Sequence, residues 1–298
     1  NLYQVRASLK KIPLNQSQVA ELFMDCLRGL NTPKLNAKNP AKNANKVYEI
    51  SVPDLHIGKL AWSDETGHDN YNCNEAERLF QTAILDLLNR VDADTISQII
   101  LPVGNDFYNS NSKENITAHG TPQDEDSRWQ NSFRKGCQLA VWAIQECSKI
   151  APVRVVIVAG NHDTERCFYL GEFLHAFFKD SHGVEIDNQP TSRKYHQVGN
   201  TLLCFAHGDR IKLKELTHIA QVEQREIWGK TKYCEIHLGH LHRESAIEEG
   251  GVIARVIPSL APPDAWHSNS GYVMSHKGAQ AFLYDLEAGL ECIFYHRV

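Results

Sequence analysis

From Val47 onward the chain alternates short apolar runs with stretches of helical period, which restricts it to a layered α/β fold. Val47–Val52, Ile96–Val103 and Val153–Ala159 are rich in Val and Ile and bounded by polar turns, as buried parallel strands are. Between them, residues 74–91 and 128–149 have the amphipathic spacing of crossover helices. Later segments change character. Thr201–Ala206, Cys234–Leu238, Val252–Ile257, Gln280–Tyr284 and Glu291–His296 read as strands with less helix between them, and predict a second, more antiparallel sheet. Two packed sheets with helices outside is the expected architecture.

Residues 1–46 differ. Leu14-Asn15-Gln16-Ser17 resembles a helix start, and Val19, Leu22, Phe23, Cys26, Leu27 and Leu30 form an apolar stripe. An aperiodic stretch rich in Asn, Lys, Ala and Pro follows to Asn45. The expected division is an accessory helix with linker over 1–46 and the main domain over 47–298. The chain does not begin with Met, which leaves room for a longer native amino terminus.

The apolar runs end on a recurring set of side chains. Asp54-Leu55-His56 follows the first, Gly104-Asn105-Asp106 the second, and Gly160-Asn161-His162-Asp163 the third. His207-Gly208-Asp209 and Gly239-His240-Leu241-His242 follow two later ones. Ligands of open α/β sheets gather beyond the carboxyl ends of strands. Each string has an ordinary reading on its own: a turn-starting Asp with a surface His, a Gly-Asn-Asp turn, a helix cap, a histidine pair in the core or on the surface. Jointly they offer carboxylates at Asp54 and Asp106, a neutral amide oxygen at Asn161 and imidazoles at His56, His207, His240 and His242. These are donors suited to divalent cations. A carboxylate at Asp106 can bridge two ions, and His162 can stay off them and serve as an acid. No thiolate belongs to the set, so Mn²⁺, Fe²⁺ and Zn²⁺ all suit it.

With these five blocks in order over residues 48–260, the chain resembles the calcineurin-like metallophosphoesterase superfamily. The resemblance implies a four-layer α/β/β/α sandwich and a dinuclear centre, with Mn²⁺ as the preferred ion. Asp54, His56 and His242 would hold one ion, Asn161, His207 and His240 the other, with Asp106 bridging and His162 as the catalytic histidine. Two departures stand out: the usual Gly-Asp doublet is one residue longer, Gly104-Asn105-Asp106, and the position that often supports the catalytic histidine is Asn109. Gly120-Thr121-Pro122-Gln123-Asp124 with Asp126-Ser127-Arg128-Trp129 is similar to a phage or prophage branch.

The function expected is hydrolysis of a phosphate ester by a water activated on the metals, most of all a phosphodiesterase or nuclease acting on nucleotides or nucleic acid. A phosphomonoesterase, protein phosphatases included, and an inactive metal-stabilised binding protein are the alternatives. Asp106-Phe107-Tyr108-Asn109-Ser110 carries no cation where a monoesterase of the protein-phosphatase type places an arginine, which favours a diester. Asn109, Arg128 and Arg210 are candidate substrate contacts, and Tyr71, His119 and Trp129 could join them from two polar insertions, 62–74 and 109–128. A solvated flap over a buried Trp129 is the plainer reading. Arg210, Lys212 and Lys214 form either a phosphate track or an ordinary solvated face, and 258–272, with Trp266 and His267, is a further rim.

A net charge of −5 argues against a general nucleic-acid coat protein but not against an enzyme that handles phosphates with metal ions. Eight cysteines without a CxxC pair lie scattered through apolar segments and read as reduced core thiols, which favours the cytoplasm. No run approaches the roughly 18–20 apolar residues of a membrane span. The oligomeric state is not legible.

Overall fold

The computed structural model describes residues 34–298; the accessory helix expected before Pro33 lies outside the described residues. The strands are β1 (Lys46–Ser51), β2 (Ile96–Gly104), β3 (Val153–Val158), β4 (Val184–Asp187), β5 (Arg193–Val198) and β6 (Thr201–Ala206). They continue as β7 (Tyr233–Leu238), β8 (Ser245–Glu249), β9 (Val252–Val256), β10 (Gly278–Asp285) and β11 (Gly289–Arg297). The helices are α1 (Ser63–Thr66), α2 (Cys73–Leu88), α3 (Trp129–Ser148), α4 (Thr164–Phe178), α5 (Leu213–Glu223), α6 (Arg225–Trp228) and α7 (Ala265–Asn269).

Two sheets result, in the orders β11-β10-β1-β2-β3-β4 and β5-β6-β7-β9-β8. The first is parallel from β1 to β4, and antiparallel where β10 meets β1 and β11. In the second, β6, β7 and β9 run parallel between antiparallel edges β5 and β8. Both sheets are therefore mixed.

Alternation along each strand builds the layers. Tyr48, Ile50, Ile99, Leu101, Val153 and Val155 face α2, α3 and α4, whose Ile84, Ala140, Ile144 and Leu170 complete the largest core. Their neighbours Val47, Ile100, Val156 and Val158 point the other way, against Leu203, Phe205, Phe282 and Tyr284 between the sheets. Leu202, Cys204, Ile236 and Ala254 then face Leu216 and Ala220 of α5. The order helix, sheet, sheet, helix is the α/β/β/α sandwich that the sequence resemblance implies.

Residues 34–38 lie against this body: the Leu35 amide donates to the Ser181 hydroxyl at 3.2 Å, and the Lys38 amide to the Ser148 carbonyl at 2.8 Å. The seven described cysteines are free, six of them buried. No helix among the described residues is long and apolar enough to cross a membrane.

Candidate metal centre

The parallel strands end together, and the residues following β1, β2, β3, β6 and β7 meet at that edge. Asp54, His56 and His242 present donor atoms within 4.8 Å of one another, and so do Asp106, His207 and His240. These are the sets that the resemblance implies for two ions, with Asn161 joining the second: its amide oxygen lies 2.8 Å from Nε2 of His207.

Backbone geometry makes the convergence possible. Asp54, His56, Asn105, Asp106, His240 and His242 all have left-handed φ values, between 48° and 67°. For a residue with a Cβ this costs about 1–2 kcal/mol, most acceptably for Asn and Asp. The return is a sharp turn after β1, β2 and β7 that swings neighbouring donor side chains inward. Main-chain hydrogen bonds hold the turns in place: the Asp54 amide donates to the Asn105 carbonyl at 2.8 Å and the His56 amide to the Asp106 carbonyl at 3.0 Å. Gly104 is required here, because its φ is 106° and a Cβ would lie 2.1 Å from the Val158 carbonyl oxygen.

Carboxylate orientation is set by backbone amides. The His240 amide donates to Oδ1 of Asp54 at 3.1 Å, and the His162 amide to Oδ1 of Asp106 at 2.7 Å. The other Asp106 oxygen is 3.0 Å from Nε2 of His207. Burial works against a charged His207, but the Asp106 carboxylate outweighs it and pushes the histidine up to about 9. His56 goes the other way: burial, then the imidazoles of His162 and His242, holds it well below the ordinary histidine value. Burial and His207 likewise lower His240.

The arrangement fits cations. Oδ2 of Asp54 and Nδ1 of His56 are buried without a hydrogen-bond partner. The Nε2 atoms of His56 and His242 face each other at 3.1 Å. Buried polar atoms are normally paired, and opposed imidazole nitrogens beside an orphaned carboxylate oxygen suit a positive ion among them.

The inserted residue of the second motif has a task. Oδ1 of Asn105 lies 2.5 Å from Nδ1 of His207, so the ring can donate there and keep Nε2 for the cluster. Sequence reasoning noted the extra residue without seeing this use. It gave no role to Asp163, which is fully buried and accepts from the amides of Gly160 at 3.0 Å and Tyr108 at 3.2 Å, tying the third turn to the second. A third omission is the chain beside His242. Buried Lys59 pairs with Asp264 at 3.1 Å, Asp264 holds Nδ1 of His267 at 2.7 Å, and the His267 ring stacks on His242 at 5.3 Å. Only its last member carried a signal, as part of the 258–272 rim.

His162 stands apart from both sets, with its ring 4.7 Å from that of His56. Its Nδ1 lies 2.8 Å from the Asn109 carbonyl, so main chain takes over the support that a side chain often gives at this position. The Asn109 side chain is not at the surface: the residue is 2% exposed and its amide donates to the Asp124 carbonyl at 3.1 Å. Tyr71 is also buried, its hydroxyl donating to the Leu55 carbonyl at 2.5 Å, and cannot meet a substrate. Arg128 is exposed at the amino end of α3, where Trp129 is 37% exposed rather than buried. Arg210 is exposed close after His207. It lines a cavity together with a cluster residue, His207.

No protein-family model matches the chain, and no curated protein does. Solved structures resemble it distantly. A protein reported as a novel archaeal phosphodiesterase has 12% identity and a TM-score of 0.40, over 85% of this chain and 99% of that one. A predicted phosphoesterase of Streptococcus pneumoniae has 12% identity and a TM-score of 0.33, over 85% and 98%. Vacuolar protein sorting 29 of Cryptosporidium parvum has 12% identity and a TM-score of 0.37, over 85% and 99%. At this distance the residues themselves must carry any functional argument.

Proposed function

We propose that this chain is a dinuclear-metal phosphoesterase of the calcineurin-like type that cleaves phosphodiesters of nucleotides or nucleic acid. The observation that carries the reading is the pair of three-residue donor sets, Asp54–His56–His242 and Asp106–His207–His240, at one sheet edge beside a histidine outside both. Asp54, His56 and His242 would hold one ion and Asn161, His207 and His240 the other, with Asp106 shared. These donors suit Mn²⁺, Fe²⁺ or Zn²⁺, and the family resemblance favours Mn²⁺. When bound, such ions act as Lewis acids toward water and phosphoryl oxygens.

The chain's own residues supply the rest. Asp54 and Asp106 contribute only two negative charges, so a loaded centre stays positive and attracts a phosphate anion. The Asn109 carbonyl fixes the His162 ring through Nδ1, which leaves Nε2 to deliver a proton to the departing oxygen. The stretch that follows Asp106, Phe107-Tyr108-Asn109-Ser110, supplies no arginine or lysine, and buried Lys59 is committed to Asp264. A site with no added cation favours a diester, which carries less charge than a monoester dianion.

The test is reconstitution of chelator-treated protein with Mn²⁺, assayed on bis(p-nitrophenyl) phosphate and p-nitrophenyl phosphate. The diester should show the higher kcat/KM, and Asp106→Asn should lower occupancy of both ions. Turnover that ignores chelator would reject the reading. So would two ions bound at wild-type affinity by Asp106→Asn, or a clear monoester preference.

A further inference from the structure

Beside His207 the surface opens into a cavity of about 450 Å³, a size that holds whole small molecules. Gly160 and His207 line the side that it shares with the metal centre. Phe168 and Tyr169 of α4 line it as well, together with Gln189 on the segment between β4 and β5, and Arg210. The two rings are 40% and 56% exposed, with centroids 6.4 Å apart and planes at 66°. The core does not account for them, since α4 buries Cys167, Leu170, Leu174 and Phe178 instead.

We propose that this cavity receives the nucleoside of a phosphodiester substrate, with the base against Phe168 and Tyr169 and the phosphate at His207. The proposal rests on the phosphodiesterase reading above and gives that site its substrate class. Exposed aromatic rings favour a flat π-system, whichever base it belongs to, over an aliphatic alcohol. The Gln189 amide offers a donor and an acceptor to a base edge. Arg210 lies at the exposed rim with its Nε 3.5 Å from Oδ2 of Asp209, which lines the same cavity. Continuity with the metal centre singles this cavity out. The other large groove, between α3 and α4 and lined by Trp129, Phe133, Trp142 and Phe173, includes no residue of the centre.

Two measurements on the Mn²⁺-loaded chain test it. The first is calorimetric binding of adenosine 5′-monophosphate. The second is kcat/KM for thymidine 5′-(p-nitrophenyl phosphate) relative to methyl p-nitrophenyl phosphate. Removing both rings, Phe168→Ala with Tyr169→Ala, should weaken nucleotide binding roughly 5- to 100-fold and reduce the preference for the nucleoside ester by a similar factor. Phe168→Leu, which keeps apolar bulk without a ring, should move the same way, and Phe168→Tyr should bind like wild type. Unaltered nucleotide binding in the double variant, or equal losses on both esters, overturns the assignment. Nucleotide binding that depends on the rings while neither ester is cleaved would support the cavity and reject the hydrolase reading.

Discussion

Gly160→Ala is the sharpest perturbation of this centre, because it adds one methyl group and replaces none of the candidate ligands. A Cβ built on Gly160 would lie 2.0 Å from Oδ1 of Asp106, 2.7 Å from its Cγ and 2.6 Å from its backbone nitrogen. Ordinary contact begins near 3.4 Å, so the carboxylate oxygen has to retreat by roughly 1.4 Å. Turning the side chain does not relieve the contact, since the Asp106 amide is crowded as well. Gly160 or the 104–106 turn must therefore shift. That turn also carries Asn105, the partner of His207 at 2.5 Å, and accepts the Asp54 and His56 amides, so both donor sets feel the change. Overpacking of this kind costs about 1–3 kcal/mol of stability, and a displacement near 1 Å at reacting groups costs about 10²-fold in rate. We expect Gly160→Ala to stay folded with a lowered melting temperature. It should bind less than two equivalents of Mn²⁺ by metal analysis and lose about two orders of magnitude in kcat/KM on bis(p-nitrophenyl) phosphate. Gly229→Ala is the control: its nearest neighbour would be 3.4 Å away, and stability should change by less than about 0.5 kcal/mol. Wild-type metal content and turnover in Gly160→Ala would refute the claim that Asp106 is held in place by the absence of a side chain opposite it.

His162→Asn should keep both ions while lowering kcat by about 10²–10⁴-fold, with a smaller loss for esters of very good leaving groups; an unchanged rate on a poor leaving group would remove His162 from the chemistry. Stability should also depend on pH through His237, which is buried between the sheets with Nδ1 2.6 Å from Glu49 and Nε2 3.3 Å from Glu235, and which also faces the Tyr284 hydroxyl at 3.5 Å. Burial opposes its charge, yet the two carboxylates win and push it up from about 6.5 to about 9. Arg255 also pairs with Glu235, at 2.7 Å. A histidine whose folded pKa is raised contributes fully below its ordinary value and loses that contribution as pH climbs through the raised one. The difference in urea midpoint between wild type and His237→Gln should therefore be largest near pH 6 and shrink through pH 9; an equal difference at pH 6 and pH 10 would sink this account.

Strands that are buried on both faces announced themselves. Val153–Val158, Thr201–Ala206 and Ile96–Gly104 agree with the expected runs to within a residue. The strands that escaped notice, β4, β5 and β8, are all sheet edges. Arg193-Lys194-Tyr195-His196 and Ser245-Ala246-Ile247-Glu248-Glu249 carry charge where an edge must discourage pairing with another chain, and charge breaks the apolar run that a reader looks for. Helix α4 hid for a different reason: Phe168, Tyr169 and Phe173 stay exposed, which blurs its periodicity. At the candidate centre, the side chains that converge could be picked out at strand ends because few side-chain types can serve as cation donors. Supporting roles could not. Asn109 works through its carbonyl, which every residue possesses, and the Lys59–Asp264 pair joins segments far apart in sequence.

The position of β1 has a consequence for how the molecule comes into being. One of its neighbours, β2, follows soon after it, but the other, β10, pairs with it from Lys46 opposite Asp285 to Ser51 opposite Gln280. During synthesis, the strand leading to Asp54 and His56 therefore keeps one side unsatisfied until most of the chain has left the ribosome. Five of its six residues are buried in the finished fold, Val47, Tyr48 and Ile50 among them, so the waiting edge exposes apolar side chains and is prone to pair with another nascent copy. A fragment ending before Gly278 would retain all seven candidate metal ligands and His162, yet leave that edge open for good. Its failure would show as aggregation rather than as a missing active site.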